Sequence, residues 1–366
     1  MYMKIKYLLL TSLLFVALSG NVCFAQEDNA GFHKLVDLSL QARADFDFEN
    51  NLDTHVNNYG FRGRHLAISL KGNLGKHFSY TVRQRLLPRN GNNDLLVNTD
   101  FMYIDYHPND NFYFTLGKQL ALVGGFEYDK APTDSYFVTN FCANFPCYKL
   151  GATAHYVDDE GQNHLAFQIM NSPNIQNFND GLLGYNLSWY GNFNHFKTIY
   201  SVNMFEIRKG YYINYIALGN KVEFNNVSFF ADFTNRFWDT KSSFFADFSL
   251  VAQLDVRIAN YNIFVKGGYE QNHHGDAFTL TPDAFPDEFY YSDMTLPYNA
   301  KCHFYGIGLE YVPKSYKNIR FYTYCAVKNN DMPDAEDVYV DGGSNVLNVA
   351  AGVYWNLDFK KLLKID

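Results

Sequence analysis

The stretch Asn345–Phe359, NVLNVAAGVYWNLDF, admits few folds. Leu347, Val349, Ala351, Val353, Trp355, Leu357 and Phe359 are apolar at every second position. Between them stand Asn348, Ala350, Gly352, Tyr354, Asn356 and Asp358, small or polar. A β-strand sends successive side chains to opposite faces, so this is a ribbon with one greasy and one wet face. It also exceeds the roughly 9–11 tilted residues that cross a bilayer's hydrocarbon layer. A last strand closing on an aromatic residue is how outer-membrane barrels commonly end, although here residues 360–366 follow it.

The pattern recurs along the chain. Val36, Leu38, Leu40, Ala42, Ala44, Phe46 and Phe48 share one face of the first such stretch, against Asp37, Ser39, Gln41, Arg43, Asp45 and Asp47. The next returns through His65–Lys71, and later ones include His77–Leu86, Phe101–Tyr106, Phe112–Gln119 and Ser243–Arg257. Read to the end, the chain offers about sixteen strands, an even number as single-chain bacterial barrels require. Their connections alternate. Residues 72–76, 107–111, 191–195, 224–226 and 258–260 are short, whereas 120–147, 273–301 and 329–344 are long. Short periplasmic turns and long external loops produce that asymmetry. A soluble sandwich strand also has one apolar face. Strand number, loop asymmetry and the removal of strand edges by closure favour a barrel. The aromatic content of 18%, with 29 Tyr and 34 Phe, suits membrane-interface girdles. The expected fold is therefore all-β, a transmembrane antiparallel β-barrel of about 16 strands.

The one continuous apolar run is at the start. Lys4 and Lys6 precede Tyr7–Leu18, and Cys23-Phe24-Ala25 offers a small-residue cleavage site. Residues 1–25 read as a secretory signal peptide, which leaves 26–366 as a single barrel domain. A lipoprotein reading of Cys23 is weaker, because Asn21 and Val22 replace the small residues normally found before such a cysteine. A net charge of −8 without a basic run argues against nucleic acid. No GxSxG, HExxH, P-loop or dinucleotide pattern is present, so neither an enzyme nor a cofactor is expected. His273-His274 suggests a metal pair at first sight, but adjacent histidines on an extended chain point apart. Cys142 and Cys147 are close enough in sequence, around Pro146, to allow a disulfide in an oxidising compartment.

With the apolar face turned to lipid, the polar face lines a lumen. Its expected cations are Arg43, Arg83, Arg85, Lys149, Lys197, Arg257, Lys266 and Arg320. Arg83 and Arg85 stand ~7 Å apart on one strand face, within reach of a single anion. They either recognise a solute or balance wall carboxylates, with Arg62 and Arg64 on the next strand extending the patch. The connection 120–147 carries Phe126, Tyr128, Tyr136, Phe137, Phe141 and Phe145, too many aromatics for an exposed loop. Folding into the lumen as a constriction buries them, with Phe126, Glu127, Asp129 and Lys130 at the narrowest point. Packing over a subunit interface is the alternative.

Two runs resemble a known family. Gly60–Gly72 (GFRGRHLAISLKG) is similar to the second-strand signature of the phosphate-selective porin O/P family, as found among Bacteroidetes outer-membrane porins. Asp100–Tyr136, with Gly117-Lys118-Gln119 before the long third loop, is similar to that family's next block. After Gln119 the chain departs from the pattern, with Leu122-Val123-Gly124-Gly125 replacing the usual Pro-Phe segment. The resemblance implies a sixteen-stranded homotrimer in a Gram-negative outer membrane, in contact with lipid and lipopolysaccharide. It also implies an inward third loop around Gly124–Lys130 and lumen cations at Arg83 and Arg85. The expected function is passive diffusion of small hydrophilic solutes, with a leaning to anions or phosphate. The other class considered is a structural or adhesive barrel whose external loops bind a surface partner.

Overall fold

The computed structural model describes residues 33–88, 94–173, 181–237, 244–273, 300–331 and 345–363. The signal-peptide reading of residues 1–25 lies outside these residues, as does most of the two long connections 273–301 and 329–344.

Sixteen strands follow one another: β1 (His33–Asn51), β2 (Asn57–Leu74), β3 (Phe78–Arg85), β4 (Thr99–Tyr106), β5 (Phe112–Leu120), β6 (Tyr148–Val157), β7 (Asn163–Asn171) and β8 (Leu183–Phe193). The second half comprises β9 (Phe196–Arg208), β10 (Tyr211–Phe224), β11 (Val227–Phe237), β12 (Asp247–Ile258), β13 (Tyr261–Asn272), β14 (Ala300–Tyr311), β15 (Ile319–Asp331) and β16 (Asn345–Asp358). Each strand pairs with its sequence neighbours, and β16 pairs with β1 to close the barrel. That closure runs from Ser39 opposite Asp358 to Asn51 opposite Val346.

Alternation decides which face is which. Leu116 is 67% exposed and Val202 and Ile307 are each 53% exposed, whereas Arg43, Asp45 and Asp47 are buried. In a closed sheet the exposed apolar row is the outer surface, and the opposite row faces inward. Among the described residues no helix is long and apolar enough to cross a membrane, so any crossing is by strands.

Several boundaries differ from the sequence reading. β2 begins at Asn57 rather than His65, since Asn57–Arg64 continues to pair with β1 despite Gly60 and Gly63 interrupting the apolar alternation. β12 begins at Asp247, not Ser243. The chain turns helical at Phe359, in the short helix Phe359–Leu363. Three turns on the short-connection side are only two residues long, and their first residues, Asn194, Asn225 and Ala259, have φ of 52°, 48° and 53°. Asparagine tolerates that left-handed region, and alanine does so only at a cost. Between β5 and β6 lie two further short helices, α1 (Phe126–Asp129) and α2 (Asn140–Asn144).

Candidate functional site

Residues 121–147 make most of their polar contacts with inward-facing wall side chains. The segment leaves β5 through Leu122, whose N–H donates to Gln168 and whose carbonyl accepts from Ser188 and Asn203. The Gly124 N–H then donates to Ser201 Oγ at 2.8 Å. Here the segment's backbone lies directly on the wall. A Cβ on Gly124 would stand 2.6 Å from the Ile199 carbonyl, and one on Gly219 of β10 would stand 2.8 Å from Gly125 Cα. The departure from the family pattern at Gly124-Gly125 thus coincides with a close approach that only glycine permits.

Both short helices end on wall carboxylates. The Glu127 N–H donates to Asp232 at 2.7 Å. The first N–H groups of α2, on Asn140 and Phe141, donate to Glu270 at 2.7 and 3.1 Å. A carboxylate at a helix N-terminus satisfies donors that have no partner within the helix. The Glu127 carboxylate meets Lys266, accepts from the Thr139 N–H and hydroxyl, and is buried. Lys266 also donates to the Phe137 carbonyl at 2.6 Å. The aromatics find their place in the same wall. Tyr128, Phe141 and Phe145 cluster with Met170, Phe205 and Tyr215, and Tyr136 stacks on Phe264 at 5.4 Å.

On the far side two arginines hold the irregular stretch between the helices. Arg43 donates to the carbonyls of Pro132, Thr133 and Ser135, at 2.7 Å for the last. Arg320 donates to the Thr133 carbonyl and to Asp134 at 2.6 Å, and it lies 3.5 Å from Glu310. The Tyr136 hydroxyl donates to that same Glu310 at 2.5 Å.

The remaining expected cations divide by partner. Arg83 and Arg85 converge as their spacing suggested, but the anion they share is the chain's own Asp100, at 3.0 and 2.8 Å. Arg83 also lies over Phe101 and donates to the Tyr148 hydroxyl. Arg62 and Arg64 do not extend this patch, because they pair back onto Asp47 and Asp45 of β1. Lys197 and Lys221 share Glu223 beside the 225–226 turn. Lys149 and Arg257 have no ion-pair partner among the described residues. The disulfide expected between Cys142 and Cys147 is not formed in the structure. α2 turns the Cys142 thiol toward the Glu127 carbonyl, while Cys147 packs against the aromatic cluster. Asp100 and Glu310 had no in-strand signal of a role, since their charged partners come from other strands.

Under α1 and the irregular stretch after it lies a cavity of about 270 Å³. Its cations are Lys130, Lys221, Arg257, Lys266 and Arg320, its acids Asp129, Asp134, Asp255 and Glu310, and Phe126 and Tyr136 also line it. A second cavity, of about 600 Å³, continues toward the short turns and shares Arg257, Asn262, Glu310 and Arg320 with the first. It adds Lys314 and Lys317 without a further acid. Lys130 donates to Gln253 at 2.8 Å over the face of Phe230. Burial, then the neighbouring Lys266, pulls its ammonium down to about 8.

Residues 36–232 match the family described as phosphate-selective porin O and P. The chain belongs to that family. No curated protein sequence matches it significantly. Its fold is shared with an anion-selective porin from Comamonas acidovorans, with a TM-score of 0.62 at 11% identity, covering 89% of this chain and 100% of that one. The outer membrane channel DcaP of Acinetobacter baumannii aligns at 0.59 and 10% identity, over 91% and 100% of the two chains. OmpT, an outer membrane protein of Vibrio cholerae in a trimer form, aligns at 0.58 and 10% identity, over 89% and 100%. At such identities the likeness is one of fold. Family and fold together place this porin in an outer membrane.

Proposed function

We propose that the protein is a passive diffusion channel for small hydrophilic solutes, not an enzyme, and that residues 121–147 form a constriction folded within its lumen. The observation that carries this reading is the ring of inward-facing partners around the segment, from Arg43 of β1 to Ser201 of β9, Lys266 of β13 and Arg320 of β15. A loop docked on a subunit interface would instead meet the outward row. The two connected cavities beside it give a hydrated route toward the short-turn end.

The route leans to anions. The lower cavity sets Arg257, Lys314, Lys317 and Arg320 against Glu310 alone. Arg83 and Arg85 with their single Asp100 add a local excess of one positive charge. In the upper cavity the signs nearly balance, so the preference is weak and not confined to phosphate. A homotrimer is part of the proposal, supported by the family and by the trimer form of the Vibrio cholerae neighbour. So are export by the leader 1–25 and contact with outer-membrane lipid and lipopolysaccharide.

The test is single-channel conductance of the purified protein in a planar bilayer, with chloride, phosphate and a bulky organic anion compared. Stepwise conductance with a reversal potential displaced toward the anion is expected. Folded, heat-modifiable protein that gives no steps would overturn the channel reading.

A further inference from the structure

The charges lining the upper cavity are not equally engaged by the protein. Lys266 is satisfied by Glu127, Lys221 by Glu223, and Arg320 by Asp134 and Glu310. Asp129 also lines the cavity and has Lys221 as its neighbouring cation. Three groups remain. Lys130 has a neutral amide, Gln253, as its hydrogen-bond partner. Arg257 is exposed and forms no ion pair among the described residues. Asp255 is held by Gln253 and Asn262, again through amides, and has no cation bonded to it among the described residues.

Gln253 is the element that keeps these charges apart. Its carbonyl oxygen accepts from Lys130 at 2.8 Å, and its amide nitrogen donates to both oxygens of Asp255 at 2.9 Å. An ammonium and a carboxylate are thus fixed one amide group apart instead of collapsing onto each other. Arg257 follows two positions on along the same inward face of β12 and lines both cavities. We infer that this cavity is a subsite for a zwitterionic solute of dipeptide size, its carboxylate held by Lys130 and Arg257 and its ammonium by Asp255.

Charge favours that class over its neighbours. A simple anion at Lys130 would stand beside the carboxylate of Asp255, and a simple cation at Asp255 would face Lys130 and Arg257. A solute carrying both signs satisfies all three at once. Size agrees. The volume of about 270 Å³, roughly nine waters, is large enough to admit glycylglycine with room for a small side chain. Phe126 and Tyr136 leave apolar surface for a small side chain. The inference rests on the channel reading for its route of access, and names the solute that reading leaves open.

The test uses the purified barrel in detergent and three probes: glycylglycine, its N-acetyl form (anion) and its amide (cation). Calorimetric titration should show glycylglycine binding about tenfold more tightly than either analogue, a loss of one charge-assisted contact. Asp255→Asn should erase the discrimination against the N-acetyl form, and Arg257→Gln should reduce that against the amide. Equal binding of all three probes to the unmodified protein overturns the subsite, as does an order set by the sign of charge alone. Swelling of protein-loaded liposomes reads the channel separately. Binding with discrimination but no swelling supports the subsite and removes the channel, whereas swelling without discrimination does the reverse.

Discussion

Lys266 of β13 and Glu127 of α1 meet at 2.5 Å with each side chain only 4% exposed. Removing one partner leaves the other charge buried, a change that costs about 3–5 kcal/mol, whereas replacing both by apolar groups of similar size is often neutral. Lys266→Met is therefore expected to loosen the segment and give larger, noisier single-channel currents. The double variant Lys266→Met, Glu127→Leu should return to quiet currents. Equal noise in the single and double variants would show that the pair does not hold the segment.

The shared Asp100 predicts an unusual direction of change. Asp100→Asn frees two guanidiniums at once, so the reversal potential should move further toward the anion. Arg83→Ala with Arg85→Ala leaves the carboxylate alone and should move it the other way. A hydrated ion passing about 4 Å from one unpaired charge feels on the order of 1 kcal/mol, a few-fold in permeability ratio. If neither variant moves the potential, the cluster lies off the ion route.

Lys130 sets a pH dependence. The groups around it are Gln253, Phe230, Lys266, Asp255, Glu127 and Glu310. Its ammonium, pulled down by burial to about 8, is charged at pH 7 and mostly neutral at pH 9. Loss of a cation beside the route lowers anion preference as pH rises through that value. Lys130→Arg, whose guanidinium stays protonated, should flatten the profile. A wild-type preference constant from pH 7 to 9 would exclude Lys130 from the selectivity of the channel.

Much of the barrel was legible in alternation, because strand periodicity is local. Arg43, Asp45 and Asp47 fall on the buried row that their spacing assigned, and the strand number is sixteen as counted. What could not be read depends on register between strands. Asp100 looked like a loop residue because Phe101 appeared to start β4, and the register shift between Arg83 and Gln84 brings both arginines onto it. Arg62 and Arg64 went to β1, because β2 runs on from Asn57 behind two glycines that hide its pattern. The aromatics of 121–147 announced that the segment must be buried. Only tertiary contacts with Asp232, Glu270 and Arg43 assign its partners.

The unbridged cysteines give a direct chemical check. Denaturation without reductant should expose the four cysteines of residues 26–366, Cys142, Cys147, Cys302 and Cys325, to alkylation, read as added mass. In the folded barrel Cys142 should react slowly at pH 8, because burial raises its thiol well above the ordinary value and the thiolate is the reactive form. A mass two hydrogens short, with two cysteines unmodified, would mean that the pair is bonded after all.

Gly219 carries the last expectation. It lies on the inward face of β10, and its own ladder to β9 and β11 does not require glycine. What requires it is the segment: an added Cβ would come within 2.8 Å of Gly125 Cα and 2.9 Å of Asp232 Oδ1. The first of these is backbone and cannot swing aside. Gly219→Ala should therefore leave barrel formation intact while pushing Gly125 from the wall, at an overpacking cost of about 1–3 kcal/mol. The expected readout is altered unitary conductance with normal heat-modifiability on a gel. Gly60→Ala, where nothing lies within 4 Å of the new carbon, is the matched control and should conduct as the wild type. If Gly219→Ala also conducts normally, the segment's seat on β10 does not shape the channel, and the control of its width must come from the Arg43 and Arg320 side instead.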